Sequence, residues 1–183
     1  MKIRIFLIDN ETILIENKNS ELNNWCIAME NDGSESKKYE YFDVTADIGF
    51  YAYGNSLEEA YENAGLAMFN VITDINKVKK EEMEEFEIVS EDLVSLLYDY
   101  LEELLFLQDT EFLFFSDFKV NIEKIADKKS SNLENYKLTC SAYGEEIDWN
   151  VHTHKSEVKA VTFHKMCVKE DEGIFKLRAI LDL

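Results

Sequence analysis

Past residue 112 the chain changes period. Alternating apolar and polar residues run through much of four successive strand-like segments, residues 113–125, 136–143, 157–168 and 174–183. Such alternation reads as strands with one face buried, and the short connections between them favour antiparallel neighbours. The preceding segment reads differently. Ser56-Leu57-Glu58-Glu59 is a capping box, in which the serine hydroxyl accepts from the amide three residues on while the glutamate reaches back. The helix it opens carries Leu57, Ala60, Ala64, Ala67, Met68 and Val71 at three-and-four spacing. A second helix is predicted from Glu91, with Leu93, Leu97, Tyr100, Leu101, Leu104 and Leu105 as its apolar stripe. Shorter strands are expected over residues 39–43, 48–53 and 82–89. Helices inserted early and strands thereafter define an α+β protein: a two-layer sandwich, mostly antiparallel sheet, with two helices packed on one face.

The first 38 residues have a different texture. Two short β-type runs around Asp9-Asn10-Glu11 suggest a hairpin, followed by a polar stretch. The expected organisation is therefore an N-terminal extension, 1–38, and a main domain, 39–183. The extension has 5 basic and 7 acidic residues (−2), so −17 of the chain's net charge of −19 belongs to the main domain. A surface that acidic repels phosphate, and direct nucleic-acid binding is not expected. Cys26, Cys140 and Cys167 are odd in number and form no C-x-x-C pair, which favours reduced thiols. Asp9 interrupts the apolar start, and Asp99, Glu102 and Glu103 interrupt the most apolar later stretch. No membrane association is expected, and the location implied is cytoplasmic, or nuclear in a eukaryote.

Signals for chemistry are sparse. The sequence has no phosphate-cradling glycine loop, no G-x-S-x-G elbow and no H-E-x-x-H helix. His152 and His154 would share a face if they lay on a strand, the spacing of a two-ligand metal site, but an exposed polar loop is the simpler reading. His164, beside Phe163, has no nucleophile next to it. Two carboxylates are less ordinary. Asp47 is expected in a short turn between two strands. Asp182 is the penultimate residue of the apolar run Ile180-Leu181-Asp182-Leu183, with the main-chain carboxylate immediately after it. Adjacent carboxyl groups concentrate oxygen donors of the kind that hard cations take.

The segment Tyr39-Glu40-Tyr41-Phe42-Asp43-Val44-Thr45-Ala46-Asp47-Ile48-Gly49, followed by Ala52-Tyr53-Gly54 and Ser56-Leu57-Glu58-Glu59-Ala60, resembles the opening of the archease family. Three further stretches are similar to that family's pattern in the same order: Met68-Phe69-Asn70-Val71-Ile72-Thr73-Asp74, Ser156-Glu157-Val158-Lys159-Ala160-Val161-Thr162-Phe163-His164, and Ile180-Leu181-Asp182-Leu183. The resemblance implies an accessory protein and not an enzyme. Archeases activate the RtcB-type RNA ligase, which joins tRNA exon halves with GTP and divalent metal, by promoting its guanylylation and multiple turnover. Carried over by motif position, the family's metal ligands are Asp47, Asp182 and the α-carboxylate of Leu183, and the implied cofactor is a divalent ion, calcium by preference. The pattern departs at Val44, where the family usually has histidine before Thr-Ala-Asp. Any role of that imidazole is lost here or taken elsewhere, while the oxygen ligands stay.

Two other classes of function are distinguishable. An independent metal-dependent hydrolase would use the same carboxylates, but the sequence supplies no obvious base. A chaperone-like helper of RNA modification would expose apolar surface.

Overall fold

The computed structural model describes residues 37–126 and 134–183. The extension expected over 1–38, with its hairpin, lies outside the described residues apart from Lys37 and Lys38. The described chain opens with β1 (Tyr39–Val44) and β2 (Asp47–Gly54). Only Thr45 and Ala46 connect them, and Ala46 takes a left-handed backbone, φ 67°, to close the hairpin. Asp47 is thereby the first residue of β2, paired with Val44, and not a turn residue as the sequence suggested.

Helix α1 (Leu57–Ile72) starts as the capping box requires, with Ser56 Oγ accepting from the Glu59 amide at 3.1 Å. Glu59 reaches one residue further back than expected, accepting from the Asn55 amide at 2.7 Å. A short 3-10 turn (Ile75–Lys77) and β3 (Glu82–Ser90) follow. Helix α2 (Leu93–Glu111) is capped by Asp92, whose carboxylate accepts from the Val94 and Ser95 amides at 2.8 Å. The remainder is β4 (Leu113–Ala126), β5 (Glu134–Glu146), β6 (Ala160–Asp171) and β7 (Ile174–Asp182).

All neighbouring strands are antiparallel, in two sheets ordered β1-β2-β7-β6 and β3-β5-β4. The α+β class and antiparallel pairing read from the sequence hold, and the strands divide between two sheets. Helix α1 packs on β2, β7 and β4, while α2 packs on β6, β3 and β5, so each helix touches both sheets. The shared core includes Phe50, Phe69, Leu97, Tyr100, Leu101, Phe115, Phe118, Leu138 and Leu177, all at or near zero exposure. Burying side chains of this size stabilises by about 1.5–3 kcal/mol each before the entropy of ordering is subtracted.

Two features of the last hairpin place the candidate site. Glu172 and Gly173 both adopt left-handed backbone, φ 50° and 81°, as a two-residue type I′ connection demands. β6 and β7 thus fold back on each other as a pair, and β7 fills the edge of β2. The alternation expected over residues 157–168 breaks within β6. Register shifts between Thr162 and Cys167, so Phe163, His164, Lys165 and Met166 stand against Ala179 alone, with Lys165 at φ 56°. This bulge turns Phe163 and His164 outward.

Candidate metal centre

In β7, Leu177, Ala179 and Leu181 are inward and fully buried, as are Phe50 and Ala52 of β2. Strand alternation therefore assigns Lys176, Arg178, Ile180 and Asp182, with Asp47, Gly49, Tyr51 and Tyr53, to the outer face. The β2–β7 register sets Asp47 directly opposite Asp182. Residues so paired point to the same side, with Cα atoms about 4.5–5.5 Å apart. Val44 pairs with Asp47 on β1 and Ala160 pairs with Asp182 on β6. One row thus crosses the sheet as Val44, Asp47, Asp182, Ala160: two carboxylates side by side, flanked by an aliphatic residue on each hand. Asp47 is half-buried and Asp182 exposed.

The chain end adjoins the pair. The Lys159 amide donates to the Asp182 carbonyl at 2.9 Å, and its ammonium donates to the main-chain oxygen of Leu183 at 2.7 Å. A cation is thus held at the acidic row by this chain itself. Lys159 stands within the motif singled out in the sequence, but nothing in its spacing assigned it this role. Only the pairing of β6 with β7 reveals it. Among the described residues no three His, Cys, Asp or Glu side chains are grouped to hold a metal ion. The sequence-predicted set has two side chains, and its third donor is the main chain of Leu183.

The neighbouring rows of the same face are aromatic and cationic. The Phe42 ring lies over Gly49, where an added Cβ would stand 2.1 Å from ring carbons. Phe42 packs on Tyr51 with centroids 4.8 Å apart, and the Arg178 guanidinium sits 4.7 Å from the Phe42 centroid while donating to the Lys165 carbonyl at 2.6 Å. Lys176 lies 4.5 Å from the Tyr51 centroid, and burial pushes its ammonium pKa down. Glu40 accepts from Tyr53 Oη, and the hydrogen bond from Lys37, then that from Tyr53, holds its carboxyl below the usual range. This face thus carries two carboxylates abreast at the Asp47–Asp182 end, and Arg178, Lys176 and the Lys37–Glu40 ion pair further along.

The histidine pair does not form. His152 is buried: its Nδ1 accepts from the Asp148 amide at 3.0 Å, so Nε2 carries the proton and donates to Glu145 at 3.0 Å. His154 is exposed, its ring 5.4 Å from that of Trp149. The segment is a turn and not a strand, so alternation does not apply. Glu145 also accepts from the Lys79 amide at 2.8 Å, and that bond, with lesser help from His152 and the Lys79 ammonium, lowers its pKa. Sequence reading missed the buried Glu145–His152 pair because a seven-residue separation across a turn has no periodic signature, and the Lys79 amide that joins it comes from 66 residues earlier.

Residues 39–183 match the archease protein family. A protein archease of Methanothermobacter thermautotrophicus is 55% identical over 147 residues, covering 80% of this chain and 99% of the relative. A protein archease of Sulfolobus acidocaldarius is 41% identical, with the same coverage of 80% and 99%. The solution structure of Methanobacterium thermoautotrophicum protein 1598 superposes with a TM-score of 0.66 at 49% identity, covering 80% of this chain and 99% of that one.

Proposed function

The chain belongs to the archease family, and from that premise we propose that it is an accessory activator of an RtcB-type RNA ligase in tRNA splicing, with no bond chemistry of its own. In this reading it promotes guanylylation of the ligase and its repeated turnover, and the acidic row is the working tip. The observation that carries the reading is the register that puts Asp47 opposite Asp182. Nothing about core packing asks for two carboxylates abreast, and like charges directly opposite on neighbouring strands destabilise a sheet.

The donor chemistry fits a hard divalent ion. Asp47, Asp182 and the terminal oxygens of Leu183 would hold it, all of them oxygen ligands as calcium prefers. Bound there, such an ion supplies positive charge and open coordination positions at the tip. This chain's residues do the rest. Val44 and Ala160 keep the row free of competing side-chain donors. Lys159 steadies the Leu183 end and leaves one terminal oxygen unengaged by it. The acidic surface favours docking on a ligase whose cleft must be basic to hold RNA and GTP. Val44 supplies no imidazole, so any proton or hydrogen bond the usual histidine gives is lost here or comes from another group.

The direct test incubates ligase, GTP and divalent metal with and without the purified chain and follows covalent guanylylation. The expected result is faster guanylylation with the chain present and no turnover of GTP or RNA by the chain alone. Turnover without ligase would favour the hydrolase.

A further inference from the structure

The acidic row is steadied from one side by a helix. β6 is the edge of its sheet, so its alternate amides face away from β7 and find no ladder partner. The Val161 amide is one of these, and it donates to the Glu102 carboxylate of α2 at 2.8 Å. One turn earlier on the same helix the Tyr98 ring stacks on Phe163, with centroids 4.0 Å apart and planes 20° apart. α2 thus grips β6 on both sides of Thr162. The strand is short of other support here. Only Ala160, Val161 and Thr162 pair with β7, against Asp182, Leu181 and Ile180, before the register shifts at the bulge. Three paired residues are at the short limit for a strand. Just before them, Lys159 bonds the Asp182 carbonyl and the main-chain oxygen of Leu183.

Removing the carboxylate would leave a part-buried amide without its acceptor, which costs more than the bond itself contributes, and the short ladder would shift to reach water. We propose that Glu102 is a positioning residue for the acidic row: through Val161 it fixes the segment from which Ala160 and Lys159 hold Asp182 and the chain end in place. Its consequence for metal rests on the reading of the row as a metal centre; its geometry does not. Partners that orient a ligand by direct contact set metal affinity by about 10–100-fold. Glu102 acts through the backbone of a neighbouring residue, so an effect of about three- to tenfold is expected.

The test compares the full chain as parent, Glu102→Ala and Glu102→Gln. Alanine favours the helix and removes the acceptor, whereas glutamine removes the charge and keeps an acceptor oxygen. In metal-free protein, amide hydrogen exchange at both Val161 and Lys159 should quicken about tenfold in the alanine variant and stay near parental in the glutamine variant. Glu62→Ala is the control. Glu62 of α1 accepts from the Val120 amide at 3.1 Å on an edge of the other sheet, so its loss should leave Lys159 exchange unchanged. Calorimetric titration with calcium should show affinity weakened about three- to tenfold by alanine and less than about twofold by glutamine. Exchange that quickens at Val161 alone, or equal calcium affinity in parent and alanine variant, would overturn the proposal. So would alanine and glutamine variants that behave alike, since charge would then be the cause. A Val161 amide that exchanges in the parent as freely as one in water overturns it without any variant. A parent chain that binds no calcium refutes the metal centre, and the exchange data then decide for or against Glu102.

Discussion

Replacing Asp47 by asparagine should stabilise the chain when divalent metal is chelated and destroy its response to calcium. The register holds Asp47 and Asp182 directly opposite one another. Two unit charges about 5 Å apart repel by roughly 0.8 kcal/mol in bulk water and roughly 3 kcal/mol at an effective dielectric of 20. Asp182 is exposed and the Lys159 ammonium lies at the adjoining chain end, so the smaller figure governs. Cross-strand like-charge effects also top out near about 1 kcal/mol. Asp47→Asn removes one charge at nearly constant volume and should gain about 0.5–1 kcal/mol, or about 1–4 °C in melting temperature for a domain of this size. Calcium at about one hundred times its Kd should stabilise the parent by about 2.7 kcal/mol and the variant far less. The assay is a pair of thermal melts, one in chelator and one in calcium. An Asp47→Asn chain that melts below the parent in chelator, or that keeps the full calcium shift, would refute the reasoning.

Extending the chain beyond Leu183 converts its carboxylate to an amide, so a C-terminal tag should weaken calcium binding while Leu183→Ile does not. Calorimetric titration of the two forms checks this. Gly49→Ala places a Cβ 2.1 Å from Phe42 ring carbons and must displace that ring from Tyr51 and Arg178, for a cost of about 1–3 kcal/mol. An unchanged urea midpoint would contradict it. The Glu145 carboxyl has a folded pKa below its unfolded value, chiefly through the Lys79 amide. Its contribution is therefore complete above the unfolded value near pH 4.3 and is lost as pH falls through the folded one. Parent protein should lose more stability than Glu145→Gln between pH 6 and pH 3, as urea midpoints at the two pH values would show.

Local rules carried the helices far. Ser56 announces the first N-terminus; the second helix is expected from Glu91, and its cap is Asp92, one residue on. The predicted stripe matches the buried face of α2 except that Leu93 is half-buried and the fully buried Leu96 is absent from it. What local rules do not contain is register. Asp47 appeared to lie in a turn because Thr45-Ala46-Asp47 has no strand character of its own. Pairing with Val44 on one side and Asp182 on the other pulls it into β2. The juxtaposition of Asp47 and Asp182, 135 residues apart in sequence, came from family resemblance and not from spacing. The bulge at residues 163–166 and the buried Glu145–His152 contact are likewise products of tertiary packing, and alternation misreads both. The division of strands between two sheets also follows from packing: β3 pairs with β5 and not with the nearer-in-sequence β2.

The central claim is that a carboxylate row makes this chain an activator. It is tested most directly by multiple-turnover ligation, with ligase at limiting concentration and the chain supplied as parent or as Asp182→Asn. Asp182 is exposed at the end of β7, so the variant should fold as the parent does, with surface changes of this kind worth only about 0.5 kcal/mol. The account predicts that parent chain carries the ligase through many cycles and that an equally folded Asp182→Asn chain leaves it near a single turnover. Equal stimulation by the two chains would contradict it.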